Sequence, residues 1–89
     1  MSEVCDKVFK ARYGDRKNIC GAEIARRRCA SSPYVSQREL AEKLQLLGFD
    51  LDKNAVQLIE AGKRFVTDIE LVYFAKVFGV TIEDLYPKE

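Results

Sequence analysis

The sequence predicts an all-α fold of five short helices, with one more helix at the N-terminus as an open alternative. Apolar residues recur at helical spacing in several segments, and helix-start or helix-end signals bound most of them. The best strand candidate, 80–82, is too short to form a sheet strand. A chain of 89 residues, 47% of them hydrophobic, suits one small globular domain.

Charge is distributed unevenly along a nearly neutral chain. The net charge of +1 gives no general argument for a nucleic-acid partner. Residues 1–45, however, hold ten basic and six acidic residues, whereas residues 46–89 hold five and eight. A weakly basic half can still form a local phosphate-binding surface.

Cysteine usage and hydropathy argue against a metal-binding, secreted or membrane-spanning protein. Cys5, Cys20 and Cys29 form no C-x-x-C pair and the chain has no histidine, so we expect no metal site, no cofactor and reduced, partly buried thiols. No apolar run reaches the length of a membrane span, and the first residues lack the apolar core of a signal peptide. We therefore expect a cytoplasmic protein without membrane association.

The sequence divides into an N-terminal segment, 1–17, and one domain, 18–89. Segment 1–17 predicts a short helix, because apolar residues stand at roughly helical spacing before a Gly14-Asp15 break, or alternatively a basic arm, because it holds five basic residues. A helix is expected at about 19–30, with Asn18 as a candidate cap.

Helix boundaries are marked most clearly after residue 35. The segments 36–39 (SQRE) and 67–70 (TDIE) have the residue pattern of capping boxes, and 81–84 (TIED) resembles a third with aspartate in place of glutamate. The predicted helix ends are Gly48, Gly62 and Gly79.

The segment 52–61 predicts a helix with one packing face and one polar face. Val56 and Ile59 are three residues apart and lie on one side, and Asp50 or Asp52 can cap the helix start. The polar residues near the start of the other side are Lys53, Asn54 and Gln57. The predicted core is Ile24, Leu40, Ala41, Leu44, Val56, Ile59, Leu71, Ala75, Phe78, Val80 and Leu85.

Three blocks in this order resemble the Cro/C1-type (Xre-family, lambda-repressor-like) helix-turn-helix domain. The blocks are SQRELAEKL at 36–44, IEAGKR at 59–64 and LVYFAKVFGVTIEDL at 71–85, and the resemblance covers about 19–86. The chain departs from the shortest family members in a longer path between the first two blocks and a longer loop after Arg28. We expect the helix that starts at 36 to gain a turn within 44–50.

The resemblance implies a sequence-specific transcriptional regulator, a repressor by family habit, that binds double-stranded DNA as a homodimer. It places 52–61 in the major groove. The implied base contacts are Lys53, Asn54, Gln57 and Leu58, although Leu58 is expected rather to cover a packing surface. The implied phosphate contacts are Gln37, Arg38, Lys63 and Arg64. The family also implies a partly buried ion pair between Arg28 and Glu60.

A protein-binding module of the same fold, antitoxin-like or peptide-responsive, is the alternative function. The near-neutral charge and an exposed Leu58 would favour it. An enzyme is not expected, because the chain has no histidine, nucleophile motif or glycine-rich phosphate loop.

Overall fold

The computed structural model describes residues 14–87, and this part of the chain is all-α. Its four α-helices are Gly21–Ala30 (α1), Gln37–Leu46 (α2), Lys53–Glu60 (α3) and Asp68–Phe78 (α4), and residues 14–87 contain no strand. The predicted all-α class is confirmed. The segment expected to form a fifth helix forms a single 3-10 turn, Glu83–Leu85. The predicted N-terminal helix or arm lies largely outside the described residues.

The predicted helix starts are present as hydrogen-bonded caps. Ser36 Oγ accepts a bond of 3.1 Å from the Glu39 N–H, and the Glu39 carboxylate accepts one of 3.0 Å from the Ser36 N–H. The segment 67–70 forms the same reciprocal pair, as does 81–84 with its aspartate. These caps satisfy N–H groups that a helix start otherwise leaves without partners.

The turn after α2 is tighter than expected. Only the first part of segment 44–50 is helical, because α2 ends at Leu46 and Gly48 adopts a left-handed φ of 95°. The Phe49 N–H then donates to the Leu44 carbonyl at 3.0 Å, which closes the helix in a Schellman turn. The chain therefore reverses at once toward α3.

The core lies between α1, α2, α3 and α4, with α3 packed on α1 and α2, and α2 packed on α4. Nine of the eleven predicted core residues are buried, whereas Phe78 and Val80 are only partly buried at its edge. Cys20, Leu51 and Phe74 are buried members that the predicted core set omitted. Cys29 is exposed, contrary to the expectation of partly buried thiols.

No helix within residues 14–87 is long and apolar enough to cross a membrane.

Candidate functional site

The two faces of α3 separate as its sequence pattern predicts. Val56 and Ile59 are fully buried, whereas the side chains on the opposite side are open to solvent. Asp52 caps the helix by accepting a 2.8 Å bond from the Ala55 N–H. The exposed residues near the helix start are Lys53, Asn54 and Gln57. An uncovered polar face at a capped helix start can offer amide and ammonium groups to a ligand.

Leu58 lies on α3 beside these polar residues and is 44% exposed. Slightly more than half of its surface is therefore covered by the protein, and the rest is open to a ligand. An apolar side chain in this position can contact another apolar group, such as a thymine methyl or a protein side chain.

A solvent-open cleft of about 610 Å³ joins the start of α2 to the start of α3. Its lining residues are Arg28, Tyr34, Ser36, Gln37, Arg38 and Lys53. Arg38 and Lys53 are exposed, so two cations from different helices face solvent around one concave surface. Such an arrangement suits an anion, and Gln37 adds a neutral polar group.

Arg28 and Glu60 form a bidentate ion pair that joins α1 to α3. The Arg28 Nε and Nη2 atoms lie 2.7 Å and 2.9 Å from the Glu60 carboxylate oxygens, and both side chains are 8% exposed. Arg28 Nη1 also donates to the Tyr34 hydroxyl and the Val35 carbonyl, each at 3.1 Å. The hydrogen bonds to Glu60 raise the pKa of Arg28, so the guanidinium stays charged in its buried position.

Gln37 is held by the same network. Its Nε2 atom donates to Glu60 Oε1 at 2.9 Å, which fixes the side chain at the start of α2. Sequence reasoning missed this contact because the two residues are 23 positions apart, and no local sequence signal links the start of α2 to the end of α3. One amide N–H of Gln37 is thereby used within the protein, and the second remains available to an external acceptor.

The two cations after α3 differ in availability. Lys63 is exposed. The Arg64 guanidinium instead pairs with the Glu70 carboxylate at 3.2 Å and donates to the Phe65 carbonyl at 3.3 Å. The structure thus exposes Lys63 and engages Arg64 internally, which the sequence pattern did not indicate.

Asn18 fastens the C-terminal end of α3 to the start of α1. Its Nδ2 atom donates to the carbonyls of Ile59 and Arg64 at 3.0 Å and 2.7 Å, and its Oδ1 atom accepts 2.7 Å from the Gly21 N–H. Asn18 is only 9% exposed, and these bonds satisfy its amide. Asn18, expected to cap α1, lies two residues before the N-cap residue Cys20, and it binds the first N–H of α1 together with carbonyls in and after the last turn of α3.

The preceding residues extend this attachment. Arg16 Nη2 donates to the Glu60 carbonyl at 2.9 Å, and the Lys17 N–H donates to the Gly62 carbonyl at 2.7 Å. The Arg16 side chain packs directly on Gly62, which has a left-handed φ of 76°. Arg16 and Lys17, assigned from sequence to the N-terminal segment, thus fix the end of α3. No local signal could have found contacts between residues about 45 positions apart.

The metal-ligating side chains within residues 14–87 are scattered, and the buried thiol of Cys20 is protected. These residues contain no group of three or more metal-ligating side chains. Burial raises the pKa of the Cys20 thiol to about 11, which disfavours the reactive thiolate. The chain was also compared with known proteins: no protein-family model, curated protein or solved structure matches it.

Proposed function

We propose that this protein is a Cro/C1-type helix-turn-helix regulator that binds double-stranded DNA through the major groove with α3. The observation that carries the proposal is the uncovered polar start of α3 beside the cationic start of α2. A helix presented in this way can place its first residues against base edges while a neighbouring helix start contacts the backbone. Repression is the proposed outcome of binding, by the resemblance of the sequence.

The proposed base contacts follow from side-chain chemistry. Asn54 and Gln57 can each bind adenine N6 and N7 together, and Lys53 can reach guanine O6 or N7. Leu58 is added as an apolar contact for a thymine methyl, because almost half of its surface is open. A well-formed bidentate contact discriminates between bases by roughly 1–3 kcal/mol.

The proposed phosphate contacts are Gln37, Arg38 and Lys63. The second amide N–H of Gln37 and the α2 start favour an anion, and the two exposed cations supply charge. Arg64 contributes only if it leaves Glu70, so we rank it below the others. These contacts fix the position of the domain and carry little sequence information.

A homodimer on DNA is part of the proposal. Two copies bound to half-sites about one helical turn apart would present α3 to successive major-groove faces. Linking two weak half-site contacts raises affinity and specificity together.

Selection of bound duplexes from a random library, followed by fluorescence-anisotropy titration, tests the proposal. We expect the selected duplex to bind more tightly than a scrambled one, with affinity that falls steeply as salt rises. A duplex from the chain's own upstream region is a second candidate operator. Lys53→Ala should weaken binding and reduce the salt dependence, whereas Lys76→Ala, which removes the same charge from the last turn of α4, should do neither. Failure to enrich any duplex would contradict the proposal.

The second candidate is a protein-binding module of the same fold. Leu58 favours it, because a half-exposed leucine on the polar face of α3 suits an apolar protein contact. A Leu58→Ser variant that loses a protein partner and leaves DNA affinity unchanged would support this candidate over the first.

A further inference from the structure

A second surface lies near the C-terminal ends of α2 and α4, where a shallow cleft of about 240 Å³ opens to solvent. Leu46 is 88% exposed, the highest value for a large apolar side chain in residues 14–87, and Leu47 beside it is 43% exposed. Adjacent exposed leucines at a cleft indicate an interaction surface more strongly than a single exposed leucine does. The residues of this α2–α4 cleft are Lys43, Leu46, Leu47, Lys76 and Val77.

The α2–α4 cleft has a positive rim. Lys43 comes from α2 and Lys76 from α4, and neither ammonium group has a carboxylate within 4.0 Å among residues 14–87. The Glu39 carboxylate, one turn before Lys43, accepts from the Ser36 N–H and interacts with the Lys43 charge without forming an ion pair within 4.0 Å. Lys76 is exposed, and its ammonium group lies 5.9 Å from the centre of the Tyr73 ring. An apolar centre with two lysines at its edge is complementary to a ligand that has an apolar surface and carboxylates beside it.

We propose that the α2–α4 cleft binds an acidic amphipathic helix of a partner protein. The apolar face of such a helix would cover Leu46 and Leu47, and its flanking carboxylates would meet Lys43 and Lys76. A second copy of this chain fits less well, because a two-fold contact sets the same lysines against each other. Like charges placed together in an interface oppose binding.

The position of the cleft allows this partner to bind at the same time as a ligand at the α2 start. The ten residues of α2 separate the two ends by about 14 Å at a helical rise of 1.5 Å per residue. The inference therefore goes beyond the proposed DNA binding and does not depend on it.

The test uses the full, nitrogen-15-labelled chain and two synthetic amphipathic peptides that share the same leucines. One peptide carries glutamates at its polar positions and the other carries lysines. We expect the glutamate peptide to shift the amide resonances of Leu46, Leu47 and Val77. Leu46→Ser should raise the Kd about tenfold. Ile69→Ser, which changes an apolar side chain of α4 that is 69% exposed, is the matched control and should leave the Kd unchanged.

Charge reversal gives the decisive comparison. In the double variant Lys43→Glu/Lys76→Glu the preference should switch from the glutamate peptide to the lysine peptide. Circular dichroism checks that each variant is folded, and the exposure of the changed side chains makes folding the expected result. Equal shifts with both peptides, shifts elsewhere on the domain, or no shifts would overturn the proposal. Shifts of these amides with protein concentration alone would assign the cleft to a second copy and also overturn it.

Discussion

Gly21 lies so close to Ile59 that a Cβ atom on it would stand 2.1 Å from the Ile59 carbonyl oxygen. The start of α1 and the last turn of α3 therefore touch backbone to backbone. Asn18 bridges the two backbones, because it donates to the Ile59 carbonyl and accepts from the Gly21 N–H. Only glycine permits this approach of the two helices.

Gly21→Ala should destabilise the domain by roughly 1–3 kcal/mol, because the added methyl group forces the two backbones apart. Urea denaturation followed by circular dichroism measures the change in the free energy of unfolding. Gly48→Ala is the comparison, since its Cβ would meet open space and only its left-handed φ of 95° opposes a side chain. An effect at Gly21 no larger than about 1 kcal/mol would show that the contact relaxes at little cost.

Glu60→Gln should destabilise the domain by about 3 kcal/mol, because it leaves the buried Arg28 guanidinium without its counter-charge. The same change should weaken DNA binding through the loss of support for Gln37. The double variant Arg28→Met/Glu60→Leu removes both charges and should recover much of the stability. Unchanged unfolding and unchanged DNA affinity in Glu60→Gln would contradict both roles of the ion pair.

Acid should weaken the start of α2. The hydrogen bond from the Ser36 backbone N–H holds the pKa of Glu39 below its usual value of 4.5. Because the folded pKa is the lower one, the stabilisation is complete above pH 4.5 and is lost as the pH falls below it. Thermal unfolding of Glu39→Gln should show less acid dependence over this range than the wild type. Glu42→Gln removes an exposed carboxylate of the same helix and should retain the wild-type dependence.

Asn54→Ala and Gln57→Ala should leave the fold intact and relax sequence discrimination at single base positions. Both side chains are exposed, so their loss costs the core nothing, whereas a lost bidentate contact costs roughly 1–3 kcal/mol against the preferred base. Anisotropy titrations against duplexes with single base changes measure the effect. A Gln57→Ala protein with full discrimination would remove Gln57 from the proposed base contacts.

Local signals made much of the fold predictable from the sequence. A capping box spans four residues, and both of its hydrogen bonds join residues within that span, so Ser36 with Glu39 could be recognised without any tertiary information. The two faces of α3 followed from helical spacing in the same way. The fifth helix was misjudged because a cap predicts where a helix begins and gives no information on its length.

The remaining features depend on contacts between distant parts of the chain. The bond that Asn18 accepts from the start of α1 was predictable from the sequence, but its bonds to carbonyls 41 and 46 residues away were not. Arg64 looked like a free cation until folding placed it beside Glu70. For the candidate site, the exposed face of α3 was predictable from helical periodicity. The hydrogen bond from Gln37 to Glu60 was not, because it depends on how α2 packs against α3.

Because Cys20 is buried, its reaction with a thiol reagent can report transient opening of the domain. Burial raises the pKa of the Cys20 thiol to about 11, so the reactive thiolate is scarce near neutral pH, and the side chain is 2% exposed. A thiol reagent should therefore modify the exposed Cys29 quickly and Cys20 only when α1 separates from the core. The labelling rate of Cys20, followed by mass spectrometry, then measures how often the native domain opens without any denaturant.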